Sequence, residues 1–174
     1  FSTGTILYGA YGVGYTSHID SLEDAKFHLE RLKKVGAFSV KSYNQPRRDQ
    51  RQQVIQAARE LEMMVVPEGG SLLQHNLSMV VDGHTTLEHS LPAARIYDDV
   101  KQLWQQSGTA YTPTLVVAYG GIWGENYWYD KTEVWKHPRL SKFVPQDELR
   151  PRSIRRPTAP LHHYSHFSVA KVAK

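Results

Sequence analysis

The chain has 174 residues, enough for one domain with a real core and few enough to exclude two comfortable ones. Its formal charge of +4 is spread among nearly as many acids as bases, which argues against a nucleic-acid partner. It has no cysteine, which excludes disulfides, thiolate zinc sites and a cysteine nucleophile.

In chain order, Thr5 to Tyr8 is a candidate strand, followed by a glycine-rich loop from Gly9 to Gly14. Ser21 with Asp24 three residues on predicts a helix N-terminus; Leu22, Ala25, Leu29 and Leu32 share one face, and Gly36 ends the helix. "AFSVKSY" (37 to 43) predicts a strand, and a polar helix begins at Pro46, with Val54, Ala58 and Leu61 on one face. "MMVV" (63 to 66) is a buried strand, and a short helix runs from Leu72 to Val81.

Thr85 to Glu88 predicts the next strand. Pro92 stands in the first turn of a helix carrying Ile96, Val100, Leu103 and Trp104, which Gly108 ends. Tyr111 to Ala118 is a further strand despite Pro113. Beyond Tyr119 the rhythm fails in a stretch dense in aromatics, prolines and arginines, and a last helix is expected from about His162.

Strand and helix alternating, with near-continuous apolar strands, imply an α/β fold of parallel strands covered by helices. The expected organisation is β/α repeats over 1–121, an irregular aromatic and basic insertion or lid over 122–161, and a terminal helix over 162–174. No apolar run is long enough to cross a bilayer and the first residues lack a signal-peptide pattern, so a soluble chain is expected, with no membrane partner. Phe1 and the "FSVAKVAK" tail lead us to expect an internal piece of a longer protein. Two open sheet edges would then favour a homo-oligomer.

In parallel α/β folds chemistry gathers where strands end and βα loops begin. Those positions hold Lys41, Glu68 and His89, one repeat apart, so neighbouring strand ends would bring them together. One reading is a Lys41–Glu68 ion pair with His89 hydrogen-bonded to a neighbour. The other is a divalent metal site: carboxylate and imidazole both suit zinc, and lysine becomes a ligand only as a carbamate. His75 follows the Glu68 loop as a possible further ligand, whereas His84, at the opposite end of its strand, has a structural or exposed role. In "HHYSH" the spacing of His162, His163 and His166 permits a metal site, although an exposed helix explains it too. "YGAYGVGY" does not match a phosphate-binding fingerprint, and no G-x-S-x-G elbow occurs.

"GAFSVKSYNQPRR", "RELEMMVVPEGGS", "DGHTTLEHSLP" and "AYTPTLVVAYGG", in that order, resemble the middle of the metal-dependent amidohydrolases. The likeness is to their imidazolonepropionase-like and prolidase-like branch, as found in proteins where such a domain follows a TolB-like propeller. It implies a partial (β/α)8 barrel, roughly strands three to seven, from a parent that hydrolyses an amide or related bond of a small-molecule or peptide-like substrate with metal-activated water. It also implies that Lys41, as carbamate, and His89 match metal ligands, and that zinc is the expected metal. Glu68 stands where the family has a histidine. Asn44, Gly69, Gly70, Tyr119, Gly120 and Gly121 fall in substrate loops. The chain has no His-x-His pair at a first strand and no aspartate after an eighth, so an inactive segment is expected. The alternative is a non-catalytic α/β binding or assembly module that keeps the scaffold alone.

Overall fold

The computed structural model describes residues 3–9, 14–93, 95–114 and 126–154. It divides into two compact units, Phe1–Pro113 and Thr114–Lys174.

The first unit is a mixed α/β structure with parallel sheets. Strand β1 (Ile6–Tyr8) lies between β2 (Thr16–His18) and β3 (Ser39–Ser42), and β4 (Met64–Pro67) follows β3, all parallel. Strands β5 (Thr86–Glu88) and β6 (Ala110–Thr112) form a second parallel pair. The Thr85 N–H donates to the Val65 carbonyl (3.1 Å) and the Gly69 N–H to the Glu88 carbonyl (3.1 Å), so β5 is tied to β4 at both ends. Strand exits from β1 to β6 therefore follow one another along one rim.

Helix α1 (Leu22–Lys34) joins β2 to β3, α2 (Arg48–Glu60) joins β3 to β4, α3 (Leu73–Asp82) leads into β5, and α4 (Asp98–Ser107) into β6. Connections of this length and type are what parallel neighbours require. The expected capping box forms: Ser21 Oγ accepts from the Asp24 N–H (3.0 Å), and Asp24 Oδ2 accepts from the Ser21 N–H (3.0 Å). Leu29 and Leu32 of α1, Val54, Ile55, Ala57 and Ala58 of α2, and the inward strand residues Leu7, Val40 and Val65 make one buried core. Because side chains alternate along a strand, burying Val40 turns Lys41 to the other face.

Several elements differ from the sequence expectation. The helix expected from Pro46 begins at Arg48, and the one expected from Pro92 begins at Asp98, leaving Ile96 outside it. In the second case the preceding residues are held elsewhere: Ser90 Oγ donates to the Pro113 carbonyl (2.6 Å), and the Leu91 N–H donates to Tyr111 Oη (2.8 Å). Asp98 and Asp99 then occupy the first turn, where carboxylates favour the helix dipole. The last strand is Ala110–Thr112, and residues 115–118 of the expected strand lie outside the described residues. Thr16–His18, to which the sequence assigned no element, pairs in register with β1.

α2 and α3 meet through a polar seam. Asp82, its side chain fully buried, accepts from Arg48 Nε (2.7 Å), Arg51 Nε (3.2 Å) and Gln52 Nε2 (3.2 Å). Arg51, itself buried, also reaches the Gln45 carbonyl (3.4 Å) and Ser78 Oγ (3.2 Å). Next to this seam His84 is buried at the start of β5, which fits the structural and not the exposed of its two expected roles; its Nδ1 donates to the Met79 carbonyl (2.9 Å), and among the described residues Nε2 has no hydrogen-bond partner.

In the second unit the stretch expected to be irregular holds short helical turns: α5 (Asn126–Lys131), α6 (Pro138–Phe143) and α7 (Gln146–Leu149), with 3-10 turns at Val134–Lys136 and Arg150–Ser153. Trp128, Tyr129, Val134 and Leu140 line a pocket of about 630 Å³, with the Glu133–Lys136 ion pair (2.8 Å) beside it. The expected terminal helix over 162–174, with His162, His163 and His166, lies outside the described residues. Among the described residues no helix is long and apolar enough to cross a membrane.

Candidate functional site

Lys41 is the third residue of β3, Glu68 follows β4 directly, and His89 follows β5. Because β3 and β4 pair with Lys41 opposite Val66, Glu68 projects just beyond the lysine. The three side chains meet: Glu68 Oε2 lies 2.7 Å from Lys41 Nζ, and Oε1 lies 3.0 Å from His89 Nε2. Each carboxylate oxygen thus has its own nitrogen partner. Burial by itself would raise the Glu68 pKa, but the hydrogen bond and charge of Lys41, then those of His89, outweigh it and hold the carboxyl below the ordinary glutamate range.

The backbone fixes this geometry. His89 sits at φ 73°, a left-handed conformation that histidine adopts at a cost, while its N–H donates to the Thr112 carbonyl (2.8 Å). Asn44, beyond the end of β3, is likewise at φ 31°. Gly69, just past β4, lies close against the exit of β5, and a Cβ there would fall 2.2 Å from the Glu88 carbonyl oxygen. At Gly70 a Cβ would meet nothing nearer than 3.8 Å.

The two glycines should therefore respond differently to alanine. Gly69→Ala is expected to cost about 1–3 kcal/mol, because backbone rather than a flexible side chain must yield. Gly70→Ala is expected to stay within roughly 0.5 kcal/mol. Urea midpoints of the two variants measure the difference, and equal midpoints would contradict this account.

His75 lies in the first turn of α3, its ring 3.8 Å from where a Cβ at Gly70 would stand. Burial, then the Arg51 charge, push its imidazole pKa down, with Asp82 opposing. Tyr119, Gly120 and Gly121 lie outside the described residues. Among the described residues no three His, Asp or Glu side chains gather as a metal-binding group.

Sequence reasoning passed over three residues around the cluster. Tyr8 and Tyr43 meet edge to face at 5.4 Å, and Lys41 Nζ lies 5.9 Å from the Tyr43 ring, giving the lysine an aromatic flank. Both tyrosines stand at strand exits, which was the available signal. Asn76 is buried in α3 and bonds the Gly70 peptide through both ends of its amide. Nothing in its sequence surroundings marks it.

Parallel strands with helices between them and a polar cluster at their exits define the class as α/β. Against solved structures, the chain is similar to an uncharacterised protein with a TM-score of 0.57 and 15% identity, over 98% of this chain and 45% of that one. It is also similar to a bottromycin amidohydrolase, with a TM-score of 0.47 and 13% identity, over 85% of this chain and 39% of the other. The chain thus spans less than half the length of either structure. No family model and no curated protein matches it.

Proposed function

We propose that the chain is a scaffold segment of an amidohydrolase-like (β/α)8 barrel, and that Lys41, Glu68 and His89 are its share of the parent's hydrolytic site. The observation that carries the reading is that one carboxylate is gripped by side chains from the neighbouring strand exits on either side. The order of the four motifs that resemble the amidohydrolases supports it further.

The donor chemistry suits a divalent ion, zinc foremost. Glu68 offers a carboxylate oxygen and His89 an imidazole nitrogen, both donor types that zinc accepts. Glu68 Oε1 and His89 Nε2 are already 3.0 Å apart. Glu68 and His89 would hold the ion, with Lys41 joining as a carbamate. A bound divalent ion supplies an acidified water for attack on an amide or related bond. Without carboxylation, Lys41 instead keeps Glu68 ionised and oriented. The small-molecule or peptide-like substrate belongs to the parent, with Asn44, Gly69 and Gly70 beside the cluster and Tyr119, Gly120 and Gly121 further along the chain.

Elemental analysis of the purified chain after zinc loading tests this reading. About one zinc per chain, lost in His89→Ala, is expected, together with a carbamate carbon signal after incubation in ¹³C-bicarbonate. A chain that retains no zinc would remove the metal reading.

One observation favours a second reading. Both Glu68 oxygens are already satisfied from within the chain, so the cluster is complete as a hydrogen-bonded triad. In that case the chain is a binding or assembly module, self-associating through the outer strands β2 and β6, and sedimentation would show an oligomer.

A further inference from the structure

The segment joining β4 to α3 places Glu68, yet a glycine pair follows it immediately, and glycine gives a backbone more freedom than any other residue. Two anchors remove that freedom. The Gly69 N–H is bound to the Glu88 carbonyl (3.1 Å). The next residue is held on both sides by one side chain: the Gly70 N–H donates to Asn76 Oδ1 (2.8 Å), and Asn76 Nδ2 donates to the Gly70 carbonyl (2.9 Å).

Asn76 is 1% exposed, so neither of these bonds competes freely with water. Asparagine occupies no cap here, since it lies in the body of α3, and its amide spends one donor and its acceptor on a single residue six positions back. A helix-interior asparagine is a poor choice for the helix itself. Its use is outside the helix, on the loop that carries the carboxylate.

We propose that Asn76 is the positioning residue of the rim: by clasping the Gly70 peptide from α3 it sets Glu68 where Lys41 and His89 can both reach it. This deepens the hydrolytic reading and rests on it for Glu68's purpose, but the mechanical link from Asn76 to Glu68 stands on the geometry. Helix α3 thereby determines the place of a group that it does not itself carry.

The test is a double-substitution cycle on melting temperature, which asks whether Asn76 and Glu68 act as one unit. Glu68→Gln in the wild-type chain is expected to lower the melting temperature by about 2–4 °C, because it unpairs Lys41. In an Asn76→Leu background the same change is expected to shift it by less than about 1 °C, because the triad is already broken. Val80→Ala, a core change in the same helix, serves as control, and Glu68→Gln should keep its full effect there. Additive effects of Asn76→Leu and Glu68→Gln would overturn the proposal, and so would a silent Glu68→Gln in the wild type. Asn76→Asp is used if the leucine variant does not fold: it keeps the acceptor for the Gly70 N–H, loses the donor to the Gly70 carbonyl, and should shrink the Glu68→Gln effect by at least about half. Zinc titration of the wild type separates the two ideas. Absence of zinc binding removes the metal reading, while the cycle still decides the role of Asn76.

Discussion

Replacing Asp82 by leucine is expected to destabilise the chain by about 3–5 kcal/mol, the cost of leaving a buried charge without its partner. Arg51 is the charge left behind: its side chain is 5% exposed, and among the described residues its other hydrogen-bond partners are the Gln45 carbonyl and the Ser78 hydroxyl. Arg48, 55% exposed at its side chain, can turn to water instead. The double variant Asp82→Leu with Arg51→Met should recover much of the loss, because an apolar pair of similar volume needs no counter-charge. Guanidinium denaturation of both single variants and the double measures this. A double variant as unstable as the two single losses added together would show that the seam is held by shape and not by charge.

The second large effect is expected on acidification and comes from His84. Burial first of all, against a smaller upward pull from its bond to Met79 and from Asp82, lowers its pKa from 6.5 to about 4. The folded chain therefore refuses a proton that the unfolded chain accepts between these values. Stability from this source is complete above pH 6.5 and is lost as pH falls towards about 4. At 1.36 kcal/mol for each pKa unit the loss approaches about 3 kcal/mol. Glu68 and Asp24, whose carboxyls are also held low, add losses in the same direction but in a more acidic range. His84→Asn separates the contributions, since its amide can still donate to Met79 while it has no proton to gain. The difference in unfolding free energy between wild type and variant should change by about 3 kcal/mol from pH 7 to pH 4. A constant difference would contradict the account.

The parts of the fold that sequence made legible are those where local chemistry and packing agree. Ser21 with Asp24 announces α1, and the apolar face at 25, 29 and 32 is the buried one. The strand core at Val40, Val65 and Leu87 follows from short β-branched or apolar runs between helices. The approach of Lys41, Glu68 and His89 follows from the repeat length alone, because each stands at the exit of its strand. Other features depend on contacts distant in sequence. The helix α4 starts only at Asp98 because Ser90 and Leu91 are fastened to residues 113 and 111, which no local pattern around Pro92 reveals. The burial of His84 depends on the seam between α2 and α3, and the double hold of Asn76 depends on the path of a glycine loop. Thr16–His18 is a strand of three residues, too short to show a period.

The left-handed residues at two of the strand exits bear on what a ligand would meet. Asn44 and His89 hold backbone conformations that a free chain seldom visits, and His89 is held there by the bond from its N–H to the Thr112 carbonyl. The ordering entropy of this rim is thus charged to folding and not to association. A molecule arriving there finds its contacts already in place, so affinity would owe more to preorganisation than to induced fit. Conversely, anything that loosens the strand exits should weaken binding before it touches a single contacting side chain.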